Sequence, residues 1–270
     1  MIQAHNLTLF FRDGQQKLPV LQGIDLHIRR GEWLALTGAN GCGKSSFIRT
    51  LNGLLTPSGG SLTAAGLDMR APENRRAVKE RIQLVFQNPE SQSIGSTPSE
   101  DIAFGLENRG VPRKEMRERI GVLLEQVGLA HKAGDDIATL SGGERQRLAV
   151  ASCLALDAGM IIFDEVTSML DPAGRRDIFS LARKLWNQGT TVLWVTQRME
   201  ELCESPRIAV MEAGKLIYDG EPRTLFYESS LPGSLGWDLP PAIGIGHLLK
   251  AQGWADELLP LTENDLEGIL

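Results

Sequence analysis

Gly38-Ala39-Asn40-Gly41-Cys42-Gly43-Lys44-Ser45 fits the spacing G-x-x-x-x-G-K-[ST] of a phosphate-binding loop. Before it, Glu32-Trp33-Leu34-Ala35-Leu36-Thr37 is short and apolar, as a buried strand should be. After it, Ser46-Phe47-Ile48-Arg49-Thr50-Leu51 reads as the opening of a helix. A triphosphate carries several negative charges, and a helix N-terminus offers unpaired N–H groups at the positive end of its dipole. Glycines let successive N–H groups turn inward as an anion-binding nest. Lys44 adds a point charge suited to the β- and γ-phosphates, and the Ser45 hydroxyl suits Mg²⁺. Alone, the loop implies that a nucleoside triphosphate binds through Gly38, Asn40, Gly41, Cys42, Gly43, Lys44, Ser45 and Ser46.

Further motifs follow. Leu140-Ser141-Gly142-Gly143-Glu144-Arg145-Gln146 reads on its face as a helix start, with Ser141 capping and Glu144 three residues on. Met160-Ile161-Ile162-Phe163-Asp164-Glu165 is an apolar strand ending in two carboxylates, and Asp164 follows Ser141 by 23 residues. Ser168-Met169-Leu170-Asp171 comes next, and Leu84-Val85-Phe86-Gln87 lies upstream. With the loop, these stretches resemble the ABC ATPases. The resemblance implies an α/β fold: a P-loop NTPase (RecA-like) core, an antiparallel β-subdomain and an α-helical subdomain. It implies that Ser141, Gly142 and Gly143 form the signature that caps the γ-phosphate of ATP held by another subunit. Asp164 then supports Mg²⁺ with Ser45 and Gln87, and Glu165 polarises the attacking water. Asp171 lies in the loop that touches the opposite nucleotide. Phe11 stands where the family stacks an aromatic on adenine, although Phe10 beside it is equally a core candidate.

One position departs from the pattern. The family ends a later strand in a histidine that contacts the γ-phosphate. Here Thr191-Val192-Leu193-Trp194-Val195 leads into Thr196-Gln197. Glutamine donates a hydrogen bond but cannot carry charge near neutral pH. Losing one transition-state contact commonly costs on the order of 10²–10³ in rate. Two readings stay open. Either this chain's own site hydrolyses slowly and is paired with a second, competent ATPase, or Glu165 alone suffices and Gln197 is tolerated; the catalytic set is then Glu165, Gln87, Gln197 and Lys44.

Phe86-Gln87-Asn88-Pro89-Glu90-Ser91-Gln92, Glu100-Asp101-Ile102-Ala103-Phe104-Gly105 and Val166-Thr167-Ser168-Met169-Leu170-Asp171-Pro172 narrow the resemblance. They are similar to the ATPase, or A component, of energy-coupling-factor transporters, which import vitamins or transition-metal ions. The segment around Asn88–Gln92 matches that group's short helix against a membrane scaffold. The resemblance implies a second ATPase subunit, in a hetero- or homodimer, a scaffold (T component) and a substrate-binding membrane protein (S component). Position at the cytoplasmic face of the cell membrane follows. Two alternatives remain, an ordinary solute-binding-protein-dependent importer and a soluble ABC ATPase.

Downstream, Pro241 suits a first helical position, and Ile245, Leu248 and Leu249 fall at helical spacing. Thr262 reads as an N-cap for a last helix whose apolar face is Leu266, Ile269 and Leu270. The expected division is an ATPase domain over 1–225, its helical subdomain at about 88–146, and a C-terminal dimerisation extension over 226–270. Short strands are expected at Leu7–Phe11, Gly23–Ile28 and Ser61–Ala64, with parallel strands at 33–37, 160–164 and 191–195. Arg113–Val127 reads as a helix, and Ile208–Met211 with Lys215–Tyr218 as a hairpin.

The chain has 270 residues, a net charge of -6 and 42% hydrophobic residues. That acidity argues against nucleic-acid binding. Ser141 follows Lys44 by 97 residues, too few for the long coiled coil of soluble DNA- or ribosome-acting relatives. No run approaches the roughly 18 apolar residues of a membrane span. The N-terminus carries no signal-peptide run, so the protein is expected to be cytosolic. Cys42, Cys153 and Cys203 form no C-x-x-C pair and suit a reducing compartment. Cys42 lies inside the loop, so alkylation there is expected to block ATP binding, with Cys42→Ser resistant.

Overall fold

The computed structural model describes residues 1–14, 16–88, 92–254 and 258–268. Its elements begin with β1 (Ile2–Asp13), β2 (Gln16–Ile28), β3 (Trp33–Gly38), α1 (Lys44–Leu51), β4 (Gly59–Ala64), β5 (Leu67–Asp68), α2 (Asn74–Arg81) and β6 (Ile82–Val85). Then come α3 (Pro98–Asn108), α4 (Arg113–Gln126), α5 (Gly142–Leu154), β7 (Met160–Asp164), α6 (Pro172–Asn187), β8 (Thr191–Val195) and α7 (Met199–Cys203). The chain continues through β9 (Ile208–Glu212), β10 (Lys215–Gly220), α8 (Pro222–Tyr227), α9 (Leu231–Ser234), α10 (Pro241–Ala251) and α11 (Glu263–Glu267).

Every residue of β3, β7 and β8 is buried. A strand apolar on both faces needs cover on both, which parallel sheets with flanking helices provide. The three strands accordingly lie side by side in a six-stranded sheet of order β10-β9-β3-β8-β7-β6. All its neighbours run parallel except the β9–β10 hairpin. That hairpin turns through Ala213 and Gly214, with φ of 45° and 78°. Two left-handed central residues match the right-handed twist of the paired strands. β6 was not expected; four residues on the sheet's edge give too little periodicity to read.

The second sheet is antiparallel, in order β2-β1-β4-β5. Its strands are longer than the expected segments, because β1 and β2 continue past Phe11 and before Gly23 to pair Arg12 with Lys17. One core lies between this layer, α1 and the parallel sheet, with Phe47, Ile48, Leu34 and Leu36 at its centre. The other face of the parallel sheet packs on α5 and α6 around Trp33, Phe163, Phe179 and Trp194. A third core, including Ile102, Leu106, Met116, Leu124 and Leu148, unites α3, α4 and α5. The helix expected at Arg113–Val127 is α4, with Leu124 and Val127 buried and Ile120 and Leu123 half-buried on its inner face.

The C-terminal helices form where expected. Pro241 opens α10, and Thr262 caps α11 in a capping box with Asp265. The buried face of α10 differs from the expected one. Ala242, Ile243 and Gly246 are buried and Leu249 is half-buried, whereas Ile245 and Leu248 face outward. The helix is apolar on more than one stripe, so periodicity alone does not select the inner one. Gly246 selects it. A Cβ there would lie 2.0 Å from the Tyr227 hydroxyl oxygen, so only glycine lets α10 close onto that ring. The expected face of the last helix includes Ile269 and Leu270, which lie outside the described residues, as do Pro89, Glu90 and Ser91.

Gly246→Ala is therefore expected to cost about 1–3 kcal/mol through overpacking. Gly244→Ala, with nothing within 4 Å of its added carbon, should be neutral or slightly stabilising. Equilibrium unfolding of the two variants compares them. Equal stability would mean that Tyr227 yields without cost.

Candidate nucleotide site

Because β3, β6, β7 and β8 are parallel, their carboxyl ends meet at one edge of the sheet. Open α/β sheets bind ligands at that edge. The chain leaves β3 at Gly38, β7 at Asp164, β8 at Val195 and β6 at Val85. The phosphate loop, Glu165, Gln197 and Gln87 follow these ends directly.

Gly38 has φ of 146°, and a Cβ on it would sit 2.1 Å from the Met211 carbonyl oxygen. Gly43 has φ of 110°, with Val20 carbonyl oxygen 2.9 Å from such a carbon. Both positions therefore exclude side chains. Gly43 is also the N-cap of α1 and offers no side-chain cap, so the helix's first N–H groups stay available to an anion. Lys44 is the first residue of α1 and only 6% exposed. Its ammonium donates to the carbonyls of Gly38 at 2.7 Å and Ala39 at 3.3 Å, and lies 3.7 Å from Glu165 Oε1.

Glu165 has φ of 49°, a costly left-handed conformation for a residue with a long side chain. Such strain persists where surrounding bonds over-determine it, and it clusters at functional sites. Here the Glu165 N–H donates to the Val195 carbonyl at 3.0 Å, and the Ser168 N–H donates to the Glu165 carbonyl at 3.0 Å. The Gln197 amide nitrogen donates to Glu165 Oε1 at 2.9 Å and to Asn40 Oδ1 at 2.7 Å. A carboxylate accepts only, so the amide's orientation follows from its partner. Asn40, Lys44, Glu165 and Gln197 are thus joined in one network. Gln87 donates to the Ser168 hydroxyl at 3.2 Å, which ties the end of β6 to the loop after Glu165.

Asp164 is buried at the sheet edge. Burial first, then the charge of Glu165, pushes its carboxyl up to about 6, while Arg49 and Lys44 pull it down. Among the described residues, no cluster of three or more His, Cys, Asp or Glu side chains could hold a metal ion. Asp164 and the Ser45 hydroxyl are hard oxygen donors of the kind that would suit Mg²⁺.

The signature residues form a separate group. Ser141 accepts from the Glu144 N–H at 3.3 Å and its own N–H donates to Glu144 at 2.8 Å, so the expected capping box is present. Lys132 and then the Ser141 N–H hold the Glu144 carboxyl down at about 2. Ser141 and Gly142 face solvent, with Leu170 beside Gly142. Asp171 caps α6 by accepting from the Gly174 N–H at 3.1 Å. Met169 projects from the same loop and is 74% exposed. Phe11 is exposed on β1, while Phe10 packs under the Lys17 ammonium. Cys42 has its backbone in the phosphate loop, but the residue is only 7% exposed and packs in the core beneath.

Sequence reading missed Glu201. It follows Glu200 at the start of a short helix and resembles half of a solvated acidic pair. In the structure it is buried, and accepts from Thr167 and Trp194.

A family model described as ABC transporter matches residues 21–168. The energy-coupling factor transporter ATP-binding protein EcfA1 of Symbiobacterium thermophilum is 42% identical over 86% of this chain and 82% of its own length. That of Bacillus subtilis (strain 168) is 39% identical over 98% of this chain and 94% of its own. Among solved structures, cbiO1 from Clostridium perfringens, part of the ABC transporter complex cbiONQ, superposes with a TM-score of 0.78 at 29% identity, covering 92% of this chain and 98% of that one. The ATP-binding cassette MJ0796, a dimer in a post-hydrolysis state with ADP and Pi, gives 0.73 at 25% identity, covering 82% and 98%. The chain belongs to the ABC transporter family and, within it, to the ATP-binding proteins of energy-coupling factor transporters. It is an ATPase coupled to transport.

Two outcomes follow from this geometry. A raised carboxyl favours its protonated form in the folded chain, so Asp164's contribution to stability is lost as pH rises through about 6. In metal- and nucleotide-free protein, Asp164→Asn should then add on the order of 1–3 kcal/mol at about pH 7.5 and nothing near pH 4. Denaturant unfolding in chelator at both pH values measures it. Alkylation of Cys42 should be slow in native protein and rapid once denatured. Mass spectrometry of the labelled peptide reads this, and fast native labelling would restore the original expectation.

Proposed function

We propose that this chain is the A component of an energy-coupling-factor importer for a vitamin or a transition-metal ion. It acts at the cytoplasmic face of the membrane as one half of an ATPase pair. The observation that carries this reading is the pairing of a loop–carboxylate network at one sheet edge with a solvent-facing signature and the outward Met169. Half of a composite site is built; the complementary half must come from a second subunit. Likeness to EcfA1 proteins along nearly the whole chain supports the branch. No helix among the described residues is long and apolar enough to cross a membrane, so translocation is left to partners, a T-component scaffold and an S component that recognises substrate.

In this reading the phosphate loop, Gly38 to Ser46, cradles the β- and γ-phosphates, and Phe11 supports adenine. Ser45, Asp164 and Gln87 would hold Mg²⁺, which would neutralise developing phosphate charge. Glu165 accepts a proton from the attacking water. Ser141, Gly142 and Gly143 meet the partner's nucleotide across the dimer, with Asp171 alongside. Closure on ATP and opening after hydrolysis pass to the membrane partners through the loop that follows Gln87. Ile245 and Leu248, outward on α10, are suited to the dimer contact of the C-terminal extension.

Gln197 favours the asymmetric pair over the self-sufficient site. Both its amide protons are engaged, one by Asn40 and one by Glu165. To reach a phosphate it must give up one of them. The same bond also occupies an oxygen of Glu165 that the attacking water would otherwise meet. Gln197→His is expected to raise single-turnover hydrolysis at this chain's site by roughly 10- to 100-fold, when the partner's own phosphate-loop lysine is disabled. No gain would instead assign sufficiency to Glu165. The transporter reading is tested by affinity purification from detergent-solubilised membranes. A scaffold, a small substrate-binding membrane protein and a second ATPase should co-purify; soluble partners alone would overturn it.

A further inference from the structure

Glu201 lies under the site without touching it. It is 7% exposed, and each carboxylate oxygen has its own donor: Thr167 Oγ1 to Oε1 at 2.7 Å and Trp194 Nε1 to Oε2 at 2.8 Å. The Arg198 Nε stands 3.7 Å from Oε1. Thr167 and Trp194 are themselves buried. The helix that carries Glu201 is fastened as well, since the Ser205 hydroxyl donates to the Glu201 carbonyl at 2.7 Å and accepts from Trp33 Nε1 at 3.1 Å.

A buried carboxylate loses hydration that ion pairing rarely restores in full, so stability alone is a weak reason for one. Its position supplies another. Thr167 is two residues beyond Glu165 and immediately before the Ser168–Asp171 loop. Trp194 lies in β8, three residues before Gln197. Glu201 therefore clamps the strained turn that carries Glu165 to the strand that carries its glutamine partner. The β7–β8 pairing, the Glu165 N–H to Val195 carbonyl bond and the Gln197 to Glu165 bond also tie the two, all at or before residue 165 on the turn's side. The Thr167 bond adds a tie two residues further along the turn.

We propose that Glu201 is a positioning residue for ATP hydrolysis. Through Thr167 it holds Glu165, and the loop that reaches the opposite nucleotide, in register with Gln197. Neither Glu201 nor Thr167 bonds to the phosphate loop, so nucleotide affinity does not depend on them. The inference rests on the ATPase activity and on the role assigned to Glu165.

The test compares Thr167→Val, Thr167→Ser, Glu201→Leu and Glu201→Gln in the assembled ATPase, with Lys44→Ala as control. Thr167→Val and Glu201→Leu are expected to lower kcat by roughly 10- to 100-fold, the cost of a misplaced reacting group. The KM for ATP and the Kd for a non-hydrolysable analogue should stay within about twofold. Thr167→Ser keeps the hydroxyl and should keep the rate. Glu201→Gln should keep most of it, because the Thr167 hydroxyl can turn to accept from the amide. Should Glu201→Leu fail to fold, the Thr167 pair decides. Normal kcat in Thr167→Val would overturn the proposal, and so would a loss shared equally by kcat and nucleotide affinity. If Lys44→Ala turned over as fast as the parent, the fault would lie with the ATPase reading instead.

Discussion

The Met211 carbonyl stands where a side chain at residue 38 would have to go. That one steric fact joins β9 to the end of β3 and obliges the chain to turn through glycine there. From the turn follow the open N-terminus of α1 and the inward path of the Lys44 side chain. β3 can end at that point only because it is flanked on both sides, by β9 and β8, and buried on both faces. The sheet's order then brings the ends of β6, β7 and β8 to the same edge. The site is a consequence of where parallel strands stop.

Two carboxylates and two cations meet at that edge, Asp164 and Glu165 against Lys44 and Arg49. Asp164 and Glu165 are consecutive carboxylates, one buried and one partly open. Burial first, and then the like charge of Glu165, raises the buried member, while Arg49 and Lys44 oppose the effect. Gln197 adds a neutral donor where the family supplies an ionisable ring. The network can thus hold its geometry without a titrating imidazole.

Much of this was legible in the residues. The phosphate loop, the capped start of α5 and the acidic end of β7 are local patterns, each written within eight residues, and each is found where it was read. The central strands were legible because complete burial requires unbroken apolar runs. What was not legible depends on distant partners. Whether Ile245 or Ile243 faces inward is decided by Tyr227, at the end of a different helix, α8. Whether the Cys42 thiol faces phosphate or core is decided by the β-layer packed beneath it. Glu201 is set by an indole on β8 and a hydroxyl on a loop 34 residues away, and nothing in Glu200-Glu201 announces either. Gln197 was legible as a departure, yet its engagement with Asn40 was not.

α5 begins at the exposed signature and contributes Leu148 and Ala151 to the helical core while giving Ala149, Val150 and Cys153 to the core beneath the sheet. A helix of 13 residues is about 20 Å long, and a sharp kink in one needs a proline, a bulge or an inserted group. α5 is therefore a lever embedded in two bodies at once. In the proposed pair, a push on Ser141 would reach the helical core and the sheet along one rod.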